Sequence, residues 1–345
     1  MPQQILFCRA GCNFRAIVFA RASIELCNSA RLLCESAHGT AHPPFMLDKL
    51  ELRHAQRFAT RQARLIAGEL YPGPVLMPRG MLRALDPVLA TCLGPALQPR
   101  EAFHMACEEM LRGRPNGPLL LTLWASATGG EIDHELLRRL LRLMPIPMPD
   151  RPATRGELLA HLEPRAQCMA EWALALANRQ RPEAVRPAAL LGCGLVITRL
   201  ITDLPKAVSA NQVLLPIEDL ENAGITSADL VAGVRTPAVN QFLSNECSWA
   251  RQLLDEGLPV CDEVGARMSR GLRAAVLRAR ELLRRIEDPN RDLFRRPTRL
   301  PPRVRLRCAV RAWWPVPAQG PASTPDDDAS DKSKQYASSE CQPSS

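Results

Sequence analysis

Apolar segments with helical spacing, repeatedly interrupted by proline, constrain the fold of this 345-residue chain more than any other feature. Leu, Ala and Arg dominate these segments, and aromatic residues make up only 4% of the chain. This composition favours helices over strands. The 31 prolines argue against one uninterrupted bundle and predict many helices separated by turns. The sequence therefore predicts an all-α protein with a core of Leu, Ala and Val.

The two ends of the chain differ from its middle. Residues 1–44 contain spaced arginines and only two acids, which is typical of a mitochondrial transit peptide. A divergent first helix and a misassigned start codon are the open alternatives. From Pro315 onward Pro, Ser, Asp and Gln dominate, which predicts a disordered tail. We therefore expect one helical domain over 45–314, between the N-terminal segment 1–44 and a tail at 315–345.

Local signals place several features inside that domain. Thr154 precedes Glu157 with the spacing of a capping box, so a long helix is predicted to begin there. Pro164 is expected to bend or split that helix. The stretch 187–204 is the most apolar helical segment and is expected to be central. The small residues Gly192-Cys-Gly194 within it are expected to allow close helix packing.

The positive charge is concentrated towards the C-terminus. The chain has a net charge of +8, and residues 265–314 hold fifteen arginines against four acids, so the remaining residues carry a net charge of −3. Such an excess can bind phosphates, anionic lipid or nucleic acid, although a solvated helix face is the alternative. The segment contains no known nucleic-acid-binding module and few aromatic residues that stack bases, so we expect no nucleic-acid partner.

Cysteine spacing and hydropathy exclude two further classes. The twelve cysteines contain no CxxC pair and no Cys/His pair with zinc spacing, so reduced thiols are expected rather than a zinc site. The longest uncharged stretches are too short or too polar to span a bilayer. Contact with a membrane surface remains open.

The segment from Gly194 to Gly224 is the most informative part of the sequence. An apolar helix carries Asp203, a polar loop follows, and Val213-Leu-Leu-Pro216 leads to an acidic helix start before Gly224-Ile225. The chain contains no GxSxG, HExxH or GxxxxGK[ST] motif. The order of these features resembles the squalene/phytoene synthase family, most clearly over 187–235 and less clearly over the rest of 80–290.

The resemblance implies both a fold and a chemistry. The family's architecture is a single isoprenoid-synthase-type helical bundle around an apolar cavity. Its enzymes join two prenyl diphosphates head to head, and two Asp-rich helical motifs face each other across the mouth of the cavity. Carboxylates at i and i+4 share one helix face, so these motifs hold Mg²⁺ ions that stabilise the departing diphosphate.

This sequence lacks both motifs. The second motif would fall at Asp203–Ala207, but its i+4 residue is Ala207, Lys206 replaces another acid, and Pro205 is expected to interrupt the helix. The acids available for a first motif form no DxxxD pair: Asp48 with Glu51, Glu69, Asp86, and the alternating Glu131, Asp133 and Glu135. We therefore assign no catalytic, cofactor-binding or metal-binding residue, and Asp203 is the only remnant of the second motif.

One branch of the family shares this loss. The mitochondrial complex I assembly proteins look like squalene/phytoene synthases without the Asp pairs. The residues that match this branch are Leu200, Pro205, Ser209, Val213, Leu215 and Pro216. The resemblance implies a non-catalytic assembly factor for respiratory complex I (NADH dehydrogenase), in the mitochondrial matrix or peripheral to the inner membrane. Its partners would be complex I subunits or assembly proteins and the inner-membrane surface, and it would need no cofactor.

Two other functions remain open. An active farnesyl or geranylgeranyl diphosphate transferase would have to hold Mg²⁺ with Asp203 and an acid such as Glu69 or Asp86. A third possibility is a protein that binds an isoprenoid or lipid ligand in the apolar cavity without catalysis.

Overall fold

The computed structural model describes residues 49–73, 76–77, 79–93, 100–129, 133–143, 151–177, 181–209, 213–289, 291, 293–294 and 298–319. These ranges contain α-helices and one 3₁₀ turn but no strand, so the predicted all-α class is confirmed. The N-terminal segment 1–44 and most of the predicted tail lie outside the described residues.

The helices fall into two consecutive groups. The first group comprises α1 (Lys49–Ala67), the 3₁₀ turn Gly68–Leu70, α2 (Arg79–Leu93), α3 (Arg100–Leu111), α4 (Pro118–Gly129) and α5 (His134–Leu143). The second group comprises α6 (Arg155–Leu176), α7 (Pro182–Ser209), α8 (Ile217–Asn222), α9 (Ser227–Ala232), α10 (Pro237–Gly257), α11 (Val260–Glu263), α12 (Ala266–Glu287) and α13 (Pro302–Arg311).

Helix α6 joins two hydrophobic cores. Its first half contributes Leu158 and Leu162 to the larger core, which α7, α10 and α12 complete. Its second half places Trp172, fully buried, in a smaller core with Met110 of α3 and Leu123 of α4. The N-cap of α6 is Thr154, whose side chain accepts a hydrogen bond from the Glu157 amide at 3.1 Å, which is one half of the predicted capping box. The Glu157 carboxylate accepts from the amide of Ala153 instead of Thr154.

Helices α7 and α10 pack closely because glycines lie at their contact. A Cβ atom at Gly194 would lie 3.0 Å from the Leu254 amide nitrogen, and one at Gly257 would lie 2.5 Å from the Leu191 amide nitrogen. The prediction that small residues at 192–194 permit close packing is therefore confirmed. The same contact makes α7 the central helix of the larger core, as its apolar sequence predicted.

The structure excludes two predicted effects of proline, a split of the helix at Pro164 and a break at Pro205. Pro164 does not split α6, which continues to Leu176. Pro205 does not interrupt α7, which runs one more turn to Ser209. An internal proline costs about 3 kcal/mol, but Leu204 and Val208 are both buried in the core on either side of Pro205. Burying two such side chains supplies about 3–6 kcal/mol, so tertiary packing carries the helix through the proline.

Judged by its length and composition alone, helix α7 could cross a membrane. This criterion is weak evidence for a span, because the core helix of a soluble bundle meets it too. Here α7 packs against α6, α10 and α12. Its hydrophobicity is therefore used within the bundle.

Two cavities open among the described residues. One of about 1020 Å³ lies between α10, α12, α13 and the segment 316–319, and one of about 770 Å³ lies along α1. Neither is lined by a residue of α7. The apolar cavity expected at the centre of the bundle thus stays a prediction.

Candidate functional site around Asp203

Both carboxylate oxygens of Asp203 are bound by cations from its own helix. Arg199, one turn before it, places Nε 2.7 Å from Oδ2, and Lys206, one turn after it, pairs with Oδ1. All three side chains share one face of α7 because they are separated by three or four residues. The negative charge of Asp203 is therefore already compensated within the helix.

The guanidinium of Arg199 also reaches the end of α1. A Cβ atom at Gly68, in the 3₁₀ turn, would lie 2.4 Å from Nη1 of Arg199 and 2.9 Å from its Cζ. Gly68 has φ +56°, a conformation that favours glycine. Gly68 leaves room for the guanidinium of Arg199 beside this turn, so Arg199 links Asp203 to the turn after α1.

Those acids proposed for a first motif that the structure describes do not join Asp203. Asp48 and Glu131 lie outside the described residues, and Glu51 is exposed on α1. Glu69 lies 3.7 Å from Nη1 of Arg305 in α13. Asp133 accepts a hydrogen bond from the Glu135 amide at the start of α5, and Glu135 pairs with Arg138.

Asp86 is held instead in a buried, hydrogen-bonded contact between helices. It is 2% exposed and accepts hydrogen bonds from Thr60 Oγ1 at 2.6 Å and from Tyr71 Oη at 2.9 Å. Burial raises its pKa, although both hydrogen bonds oppose the rise. Burial and the neighbouring Asp86 carboxylate likewise raise the pKa of Tyr71. Asp86 thus ties α2 to α1 and to the residue after the 3₁₀ turn.

Comparison with known protein families shows to which family this chain belongs. A family model described as squalene/phytoene synthase matches residues 74–307. The chain belongs to the squalene/phytoene synthase family. This finding confirms the resemblance seen over Gly194–Gly224.

Solved structures agree with the fold of the family. The squalene synthase HpnC from Alicyclobacillus acidocaldarius is 19% identical with a TM-score of 0.57, covering 69% of this chain and 94% of that one. A dehydrosqualene synthase is 16% identical with a TM-score of 0.61, covering 76% of this chain and 96% of that one. YisP from Bacillus subtilis is 16% identical with a TM-score of 0.59, covering 77% and 100%. At these identities the structures establish the isoprenoid-synthase-type helical fold alone.

One curated relative adds a local sequence match. A stretch of 99 residues is 34% identical to the bifunctional protein CrtB/UppS of Streptomyces coelicolor. The match covers 29% of this chain and 18% of that protein's length. This chain therefore spans less than a fifth of the relative that it matches.

The described residues do not fit the magnesium site that the family implies. They contain no group of three or more His, Cys, Asp or Glu side chains placed to hold a metal ion. Asp203 is paired with two cations, and Ala207 carries no ligand atom. A divalent cation would have to displace Arg199 and Lys206 and would then find a single carboxylate, whereas Mg²⁺ requires several oxygen ligands in octahedral geometry.

Two sets of charged residues escaped the sequence analysis. The first is a buried network in which Arg155 of α6 donates to Asp219 of α8 at 2.9 Å and to the fully buried Glu246 of α10 at 3.1 Å. Burial raises the pKa of Glu246 to about 8, and the Asp219 carboxylate adds to the rise. Because the partners are 64 and 91 residues apart in the sequence, no local pattern indicates this network.

The second set is a row of arginines on α1. Arg53, Arg57, Arg61 and Arg64 recur every three or four residues, and this spacing was the signal that could have identified them. They line the smaller cavity together with Arg83 of α2.

Proposed function

We propose that this chain is a non-catalytic member of the squalene/phytoene synthase family that serves as an assembly factor for respiratory complex I. The observation that carries the non-catalytic part is the pairing of Asp203 with Arg199 and Lys206. A carboxylate held in this way is unavailable to a metal, and the described residues offer no second set of ligands. Under this proposal the protein uses the fold as a scaffold and needs no cofactor.

The assembly role and the mitochondrial location rest on sequence. The residues Leu200, Pro205, Ser209 and Val213-Leu-Leu-Pro216 resemble the complex I assembly branch of the family. The Arg-containing, acid-poor segment 1–44 agrees with import into mitochondria. The proposed partners are complex I subunits or other assembly proteins on the matrix side of the inner membrane.

The outer face of α13 supports contact with that membrane. Leu306, Val310 and Trp313 lie on one side of the helix and its first following turn, and each is more than half exposed. The opposite side, through Cys308 and Ala312, is buried in the bundle. Exposed tryptophan beside arginines is typical of helices that lie at the surface of an anionic bilayer.

Deletion of the gene tests the assembly role. We expect loss of mature complex I on native gels and loss of NADH oxidation by isolated membranes. Reintroduction of the wild-type chain and of Asp203→Asn should restore both, because a scaffold does not need this carboxylate for chemistry. Unchanged complex I in the deletion strain would refute the assembly role.

The relatives favour a second candidate. The solved structures above are described as a squalene synthase and a dehydrosqualene synthase, which points to a prenyl-diphosphate transferase with an unusual Mg²⁺ site. Purified protein should be incubated with labelled farnesyl or geranylgeranyl diphosphate and Mg²⁺. Release of diphosphate by the wild type but not by Asp203→Asn would establish this activity, and no release from either would exclude it.

An isoprenoid or lipid ligand is compatible with the scaffold role. Native mass spectrometry of the extracted protein tests it directly. A bound lipid mass would support a ligand in the bundle, and a clean apo mass would count against one.

A further inference from the structure

The smaller surface cavity is lined by arginine. It has a volume of about 770 Å³, and its walls include Thr60 and five arginines. These arginines are Arg53, Arg57, Arg61, Arg64 and Arg83. Among the described residues, no aspartate or glutamate lines the cavity. Its walls therefore carry five positive charges without a compensating acid among the lining residues.

Most of these arginines lack a partner. Within the described part of the chain, Arg53, Arg57, Arg61 and Arg83 form no hydrogen bond or ion pair. Arg64 lies over the ring of Tyr71, 5.4 Å from its centroid. The nearby Asp86 is buried and is committed to Thr60 and Tyr71. The guanidinium donors that face the cavity are thus free to bind a ligand.

The positions of the arginines follow from the packing of α1. Ala55, Ala59 and Ala63 form its buried face. Arg57, Arg61 and Arg64 lie on the opposite side at i, i+4 and i+7, and the same row continues to position 68. The guanidinium of Arg199, which is paired with Asp203, lies beside position 68. The basic row therefore runs along α1 towards the site around Asp203.

We propose that this cavity binds a phosphate-bearing anion directly, through guanidinium groups and without a divalent cation. Clustered guanidinium groups repel one another unless an anion lies between them. A phosphate or diphosphate group presents several oxygens that accept paired hydrogen bonds from planar guanidinium groups. This inference does not depend on the assembly role. The phosphate group can belong to a soluble phosphorylated compound or to a lipid headgroup, and both present the same chemistry.

Isothermal titration of the full-length chain with inorganic diphosphate, in buffer containing EDTA, tests the proposal. The test variant is Arg57→Gln/Arg61→Gln. The matched control is Arg138→Gln/Arg142→Gln, which removes the same charge from exposed positions on α5. We expect binding by the wild type, at least about tenfold weaker binding by the test variant, and a change below about twofold in the control. Circular dichroism should be unchanged in both variants, since all four arginines are exposed.

Three outcomes would overturn the proposal. They are no binding of diphosphate by the wild type, equal weakening in the two variants, and binding that appears only when Mg²⁺ replaces EDTA. Preferential binding of single-stranded DNA that depends on Arg57 and Arg61 would also overturn it, because the cavity would then be part of a nucleic-acid surface.

A second pair of titrations identifies the source of the phosphate. Farnesyl diphosphate below its aggregation concentration represents soluble ligands, and vesicles containing phosphatidylglycerol represent headgroups. A loss of affinity in Arg57→Gln/Arg61→Gln for the first ligand alone assigns a soluble compound, and a loss for the vesicles alone assigns a headgroup. No loss for either ligand would contradict the proposal.

Discussion

In α12 arginine side chains pair with acids inside the bundle, whereas along α1 they face a cavity whose described lining contains no acid. Arg280 of α12 pairs with Asp255 of α10, and Arg285 pairs with Glu281 at 2.8 Å. The side chains of Arg280 and Arg285 are less than 10% exposed. Arg57 and Arg61 of α1 are exposed and unpaired within the described residues. The arginines of α12 are used for ion pairs within the bundle, whereas those of α1 are available to bind an anion.

The difference shows that a local surplus of charge does not reveal its use. Residues 265–314 hold the largest surplus of arginine in the chain, yet many of these side chains contact acids or backbone carbonyls of the same bundle. Residues 53–64 contain only four arginines. They are distinguished by their common face along a cavity whose described lining contains no acid. The acids and carbonyls that each arginine contacts, rather than the number of arginines in a segment, therefore indicate where an anion can bind.

The largest expected effect is on folding stability. Arg280→Gln should lower the free energy of unfolding by about 3 kcal/mol, because it leaves Asp255 charged and without its buried partner. Arg57→Gln should change it by less than about 0.5 kcal/mol, as for other exposed substitutions. Urea denaturation measures both values. Losses of similar size in the two variants would remove the distinction between the regions.

The next effect is stabilisation by ligand. Inorganic diphosphate at one hundred times its Kd should raise the free energy of unfolding of the wild type by about 2.7 kcal/mol. For Arg57→Gln/Arg61→Gln, with tenfold weaker binding, the same concentration should add about 1.4 kcal/mol. Arg280→Gln should gain as much as the wild type. A reduced gain in Arg280→Gln would mean that the paired arginines also contribute to the anion site.

A smaller effect is expected on the free energy of unfolding at acidic pH. Hydrogen bonds from Arg284 and Arg285 lower the pKa of Glu281 to about 2 from its ordinary value of 4.5. A lowered pKa in the folded state gives stability that is present above pH 4.5 and is lost as the pH falls towards 2. Glu281→Gln should therefore flatten the dependence of unfolding free energy on pH in this window. Arg57→Gln/Arg61→Gln should keep the wild-type slope, and a flatter slope there would contradict the assignment of unpaired arginines.

The smallest effect concerns the exposed part of the C-terminal region. Leu306→Ser/Trp313→Ser should weaken binding to phosphatidylglycerol vesicles several-fold, because it removes apolar area from the outer face of α13. Met105→Ser, at another exposed apolar position on α3, is the control. Sedimentation with vesicles measures both. Equal binding by all three proteins would leave α13 without a role at a membrane.

The fold was predictable to the extent that local patterns determine it. The Thr154 cap, the close approach at Gly194 and the Leu215-Pro216 step were each recognised from the sequence. The continuation of α7 through Pro205 was not, because it depends on the burial of Leu204 and Val208 against other helices. A proline rule describes the backbone cost alone and does not include this packing.

The site was predictable only in part. The missing acid at Ala207 was evident from the sequence, and so was the presence of Lys206. The approach of Arg199 to Gly68, 131 residues earlier, was not evident, although the i, i+4 spacing of Arg199 and Asp203 was visible. The arginines of α1 escaped notice because charge was counted over long segments rather than along one helix face.

The contact between Arg199 and Gly68 has a consequence for any attempt to build a metal site beside Asp203. Any side chain at position 68 would strain a backbone with φ +56°, and the guanidinium of Arg199 would have to move to make room for it. Without Arg199, Asp203 would still pair with Lys206, and the described residues would still offer no second acid for a metal ion. A divalent-cation site built from positions 68 and 203 would therefore need a changed backbone at Gly68 as well as the displacement of both cations from Asp203.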